Sequence, residues 1–371
     1  MNDASGTSPE PAGAAGRDVI VAIEGAAASI MLNRPRALNA LTTAMKAEMA
    51  AAFRRWGRDP QVYAVVIASA VDRAFCAGGD LREMVEWGRS RPADARRSLA
   101  EEYTLNWILD CFTKPTVSLI DGVVVGSGVG ITLYGTHRVG GERYSFAMPE
   151  TGIGLFPDVG VAWAFARLPG EIGMYLALTG RSVGRADAYR LRLLTHCIPA
   201  AQFPAIRAAI ADADPVDPTL DDRHVDPGPG EMEALEPAIA RCFAGDSVED
   251  ILGRLEAERG EHRGWAEEVA RDLRQRSPTS LKVTYAQVRR ARELDLHDTL
   301  LQDYRLVCRF LEGHDLYEGV RANLIDRDRA PKWRPATLGD VSDAAVAAHF
   351  APLESGDLAL PTRAEMQAVR G

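Results

Sequence analysis

The sequence predicts an α/β fold in which strands and helices alternate through the first half and helices fill the second. Three observations carry this. Two segments of strand length stand out: YAVVIASA at 63–70, a continuous apolar run that suits a strand covered on both faces of a sheet, and the KPTVSLIDG block at 114–122. Each leads to a glycine-rich turn, FCAGGD at 75–80 and GSGVG at 126–130, that opens onto a helical segment. Beyond about residue 163 strand-like runs are few and helical ones many. Alternating strands and helices joined by right-handed crossovers imply stacked βαβ units.

Taken in order, residues 1–17 are small and polar, with no apolar run after a basic start, and read as a disordered tail rather than a signal peptide. VIVAIEG and AASIMLN, separated at Gly25, read as an opening hairpin. Thr42 or Thr43 caps the next helix, where Met45, Met49, Phe53 and Trp56 recur at helical spacing. YAVVIASA is the buried strand that follows. Helices are expected at about Leu81–Trp87 and Leu99–Phe112, then the PTVSLIDG strand, a helix opened by GSGVGITLYG, and the strand-like RYSFAM. The core thus spans 18–214. Residues 215–230, PVDPTLDDRHVDPGPG, read as a loop from their Pro, Gly and Asp content. A helical region covers 231–352; within it Ser277-Pro278 is a helix start, serine capping and proline at the first position. Residues 353–371 form a second tail.

With 371 residues the chain can bury a large core. A net charge of −9 argues against a sequence-independent grip on nucleic acid phosphates. No apolar stretch is long enough to span a bilayer, so neither nucleic acid nor membrane is an expected partner, and a homo-oligomer is left open. The five cysteines are widely spaced and never form a C-x-x-C pair, which suggests neither disulfides nor a zinc site and fits a reducing cytoplasm.

The candidate chemistry sits in MPETGIGLFPDVG, residues 148–160. Glu150 and Asp158 each follow a proline on a short loop, among Met148, Ile153, Leu155, Phe156 and Val159. A lone loop carboxylate is usually a cap or a surface charge. Apolar neighbours shift that balance, because a partly buried carboxylate has a raised pKa suited to proton transfer near neutrality. The two glycine-rich turns each offer a backbone N–H, in the first that of Gly79, and together can form a two-donor oxyanion hole. Rival readings are weaker. GSGVG has its third glycine displaced for a dinucleotide turn, and the G-x-S-x-G elbow is absent because Val125 and Val129 flank Ser127. Cys76 reads as a small buried apolar group with no histidine near it in sequence.

FCAGGD, KPTVSLIDG, GSGVG and MPETGIGLFPDVG, in this order, resemble the crotonase (enoyl-CoA hydratase/isomerase) superfamily. EEYTLN at 101–106, SPTSLK, DYRL, GHDLYEGVRANLIDRDRAPKW and the final HF are similar to its 3-hydroxyisobutyryl-CoA hydrolase branch, and the likeness spans roughly 18–352. The resemblance implies a spiral of ββα units followed by helices, and an acyl-CoA thioester as substrate. It implies Glu150 and Asp158 as catalytic carboxylates, the N–H groups of Gly79 and Ser127 as oxyanion hole, and Glu102, Gly78 and Gly126 as substrate-binding positions. No metal or separate cofactor is implied, CoA being part of the substrate. Hydratases of the superfamily carry a second glutamate where this chain has Gly130, which argues for hydrolysis over hydration. An enoyl-CoA isomerase or hydratase, and a non-catalytic acyl-CoA-binding protein, are the alternatives.

Overall fold

A computed structural model describes residues 16–368, so the tail expected at 1–17 falls almost wholly outside the described residues. The opening hairpin forms as expected, β1 (Val19–Glu24) antiparallel to β2 (Ala27–Leu32), with Val19 opposite Leu32. Thr42 caps α1 (Thr43–Trp56), its side chain accepting from the Met45 N–H. Then come β3 (Ala64–Ser69), β4 (Ala74–Cys76), α2 (Leu81–Ser90) and α3 (Pro92–Cys111). They are followed by β5 (Thr116–Ile120), β6 (Val123–Val125), α4 (Ser127–Gly130), β7 (His137–Gly140), β8 (Ser145–Ala147), β9 (Val183–Gly184) and β10 (His196–Cys197).

Successive chain segments feed two sheets. The larger has the order β1-β2-β3-β5-β7-β10, parallel from β2 onward; the smaller has the order β4-β6-β8-β9. Each unit of the spiral places one strand in each sheet, β3 with β4, β5 with β6 and β7 with β8. β3 is buried on both faces, as its nearly continuous apolar run predicts, and β5 is buried throughout although Thr116 and Ser118 alternate with its apolar residues. Along β3, Val65 and Ile67 pack into the main core, whereas Ala64, Val66 and Ala68 face a second layer with Val117, Leu119, Ile206 and Ile210.

Four expectations change. Helix α3 begins at Pro92, about two turns earlier than Leu99, because proline at the first helical position lacks only an N–H that the helix would leave unpaired. GSGVG opens a single helical turn, after which the Thr132 hydroxyl bonds back to the Gly128 and Val129 carbonyls. The 215–230 loop contains a helix, Val216–Asp221, whose Val216 and Leu220 bury themselves in the second core layer. Of the tail expected at 353–371, the described part, 353–368, is docked: Trp107 Nε1 donates to the Pro361 carbonyl at 2.7 Å, Arg363 bonds Asp110, and a helix runs Arg363–Ala368. All five cysteines are buried. Among the described residues no helix is long and apolar enough to cross a membrane.

Candidate active site

The small sheet aims its strand ends at one point. β4 ends in the Gly78-Gly79 turn, and Gly78 has φ +101, a conformation that L side chains rarely adopt. Asp80 locks this turn: it caps α2 through Arg82 N and Glu83 N and receives Arg34 Nη2 at 2.8 Å. Asn39 holds the strand below, its Nδ2 donating to the Phe75 carbonyl at 2.9 Å. β6 ends at Gly126, with φ +50 and ψ −124, immediately before α4. The two turns touch. A methyl on Gly79 would stand 2.9 Å from Ser127 Oγ, and one on Gly126 would stand 3.5 Å from the Gly78 Cα. Among the described residues neither the Gly79 nor the Ser127 N–H finds an acceptor. Buried backbone donors are nearly always paired, so two orphans side by side are the hallmark of a cradle for an incoming oxygen.

Glu150 points into that cradle. It opens a short 3-10 turn, Glu150–Ile153, at the end of β8, and is buried with its Oε2 lacking any partner. A methyl on Gly126 would lie 3.1 Å from its Oε1, close enough to press on the carboxylate, and the φ of +50 there also favours glycine. The second half of the chain fixes the turn. Arg276 Nη1 donates to Thr151 Oγ1 at 3.0 Å, Thr151 Oγ1 to the Leu178 carbonyl at 3.0 Å, and Asn323 Nδ2 to the Gly152 carbonyl at 3.2 Å. Burial first, and the Asp158 charge second, push the Glu150 carboxyl well above the usual carboxylate range.

Asp158 is also buried, and its Oδ2 accepts from the Tyr103 hydroxyl at 2.9 Å. Burial, then the Glu102 charge, raise it from 3.8 to about 7, against the opposing pull of the Tyr103 hydrogen bond and Lys46. Helices of the C-terminal region clamp its loop. Gln287 Nε2 donates to the Pro157 carbonyl at 2.9 Å and to Asp303 Oδ1 at 2.7 Å, while the Gly160 N–H donates to Asp303 Oδ2 at 2.7 Å. Glu102, Tyr103 and Asn106 share one face of α3 by their spacing. Glu102 is buried against Lys46, with Nζ 2.9 Å from its Oε2, and its Oε1 has no partner.

The structure therefore brings together Gly78, Gly79, Gly126, Ser127 and Glu150, and places Asp158 and Glu102 in one electrostatically linked group with Glu150. Sequence reasoning missed Lys46, Tyr103, Asn106, Gln287 and Asp303. A lysine inside the Met45–Met49 apolar stripe was a usable signal; Asp303 and Gln287 lie far along the chain from the loop they hold and left none. At Gly130 a methyl would meet Asn106 Nδ2 at 2.7 Å and Val159 Cβ at 2.9 Å, so no second carboxylate fits there. Burial pushes the Cys76 thiol up to about 12, which removes it as a nucleophile. The only grouping of metal-ligand type among the described residues, Asp295, His297 and Asp298, lies at a helix start on the surface, and His297 already bonds the Leu360 carbonyl.

Burial raises three carboxyls that feel one another's charge, Glu150, Asp158 and Asp303, so they cannot all ionise cheaply and the site can hold and pass on a proton. Two unpaired N–H groups beside a carboxyl of raised pKa suit a reaction in which a carbonyl oxygen becomes an oxyanion.

The enoyl-CoA hydratase/isomerase family model matches residues 27–350. Mitochondrial 3-hydroxyisobutyryl-CoA hydrolases of Danio rerio and Rattus norvegicus are each 38% identical to the chain, over 93% of it and 92% of the first relative, and over 92% of it and 90% of the second. Two solved structures superpose with a TM-score of 0.86: a carnitinyl-CoA dehydratase from Mycobacterium thermoresistibile, 40% identical over 91% of this chain and 98% of that one, and an enoyl-CoA hydratase from Rhodobacter sphaeroides, 38% identical over 93% and 100%.

Proposed function

The chain belongs to the enoyl-CoA hydratase/isomerase family, and on that premise we propose that it hydrolyses a short 3-hydroxyacyl-CoA thioester, of the 3-hydroxyisobutyryl-CoA type, to the free acid and CoA. The carrying observation is Glu150, a buried carboxyl with one oxygen at the glycine cradle and the other without a partner. The thioester oxygen seats between the Gly79 and Ser127 N–H groups, each worth roughly 3 kcal/mol where negative charge develops. Glu150 either attacks the carbonyl carbon, giving a mixed anhydride that water then opens, or takes a proton from the attacking water. Both routes put charge on the cradled oxygen and break the carbon–sulfur bond. Asp158, poised near neutrality, protonates the departing thiolate. The reaction consumes only water, and no metal or redox cofactor is needed. Widely spaced, buried cysteines with no C-x-x-C pair fit a reducing compartment such as the cytoplasm.

Hydration or dehydration of a double bond, the chemistry named for the two solved neighbours, is the second reading. The blocked space at Gly130 counts against it, because the second glutamate of that chemistry has no room beside Asn106 and Val159. Purified protein mixed with 3-hydroxyisobutyryl-CoA and a thiol reagent separates the readings, since only hydrolysis frees CoA. Thiol release is expected, lost in Glu150→Gln with acyl-CoA binding retained. An enzyme that hydrates enoyl-CoA yet frees no thiol from any short 3-hydroxyacyl-CoA overturns the proposal.

A further inference from the structure

Gly79 forms one wall of a small cavity of about 20 Å³, roughly room for one water. Met84, Trp87 and Leu99 give it apolar sides, and its floor is the Lys46–Glu102 ion pair. Lys46 is 5% exposed and Glu102 3%, so both charges are desolvated. An ammonium has three protons to place. One goes to Glu102 Oε2 at 2.9 Å and one to Ser98 Oγ at 3.3 Å, a hydroxyl itself held 2.6 Å from Thr43 Oγ1. The third has no acceptor among the described residues. Glu102 Oε1 is likewise buried without a donor. The pair thus offers one spare donor beside one spare acceptor, in a place where leaving either unused is costly.

The complement of that arrangement is a group that donates once and accepts once, which is a hydroxyl. Its charge must also be zero. A carboxylate tail would meet Glu102 and an ammonium tail would meet Lys46, each in a desolvated setting where like charges repel strongly. We infer that Lys46, steadied by Ser98, works with Glu102 as the device that selects a neutral hydroxyl at the far end of a short acyl chain. The hydroxyl donates to Glu102 Oε1 and accepts from Lys46 Nζ. This deepens the thioester-hydrolase reading and rests on it for where the acyl group lies.

The test measures binding, so it does not depend on turnover. Ketone analogues of 3-hydroxyisobutyryl-CoA, isobutyryl-CoA and methylmalonyl-CoA, with CH2 in place of the thioester sulfur, are titrated calorimetrically into the intact protein. The hydroxyl analogue should bind at least about tenfold more tightly than the deoxy analogue, a floor well below what sites built to hydrogen-bond a hydroxyl can reach. Lys46→Met should pull that ratio toward one. Because this variant strands a buried Glu102 charge, the doubly apolar Lys46→Met/Glu102→Leu is measured alongside, with folding checked by circular dichroism; in it the preference should vanish. The inference is overturned if the unaltered protein shows no hydroxyl preference, if it binds the carboxylate analogue best, or if the folded double variant keeps the preference. Thiol release from intact 3-hydroxyisobutyryl-CoA reads the hydrolase reading separately.

Discussion

Asp158→Asn should stabilise the protein while disabling it. Asparagine keeps the shape and can still accept from the Tyr103 hydroxyl, so the charge is what is removed. A buried carboxyl carried from 3.8 to about 7 costs on the order of 4 kcal/mol when it is forced to ionise. The folded state holds this proton more tightly than the unfolded chain does. Between about pH 4 and about pH 7 the native protein therefore binds more protons, and its stability falls as pH rises through that window, then levels off. The variant lacks that slope. It should match the parent near pH 4 and exceed it by roughly 2–4 kcal/mol near pH 8, read from urea unfolding followed by circular dichroism at both pH values. Thiol release should fall much more than acyl-CoA binding weakens. A stability difference that does not change between these pH values, or a variant less stable at pH 8, would refute the electrostatic reasoning, because Asp158 would then be ionised at no cost.

Ser127→Ala keeps the backbone N–H and should leave thioester cleavage within a few fold, whereas Ser127→Pro deletes that donor and should cost about 100- to 1000-fold in kcat; equal losses in the two would place the hydroxyl and not the N–H in the chemistry. Gly130→Ala forces a methyl to within 2.7 Å of Asn106 Nδ2 and 2.9 Å of Val159 Cβ, and should lower stability by roughly 1–3 kcal/mol in thermal unfolding. Asp303→Asn turns an amide donor toward either the Gly160 N–H or Gln287 Nε2, so about 1–3 kcal/mol of stability should go. Its kcat should fall more than its KM rises, and the pH profile of kcat should shift because the Asp158 loop is no longer held; an unchanged profile would make Asp303 purely structural.

The core was legible because its residues obey local rules. The run in β3 is apolar almost without interruption, and α1, 14 residues long, carries its stripe within the helix and its cap just before it. Glu150 and Asp158 stood out for the same local reason, two carboxylates amid apolar neighbours. What was not legible depends on partners distant in sequence. Val216–Asp221 has Pro215 before it and Pro218 within it, and gains its helix by burying Val216 and Leu220 against the large sheet. Residues 353–368 read as a tail because only Trp107, Asp110 and Arg305, far back in the chain, give them something to hold. The clamp of Gln287 and Asp303 on the Asp158 loop is of the same kind: both look like polar residues on amphipathic helices until the packing turns them inward.

The most direct measurement is a crystal structure of Glu150→Gln soaked with 3-hydroxyisobutyryl-CoA. The thioester oxygen should lie roughly 2.7–3.1 Å from both the Gly79 and Ser127 nitrogens, with the substituted side chain at position 150 facing the carbonyl carbon. A bound thioester whose oxygen touches neither nitrogen, or whose carbon lies beyond reach of residue 150, would contradict the account.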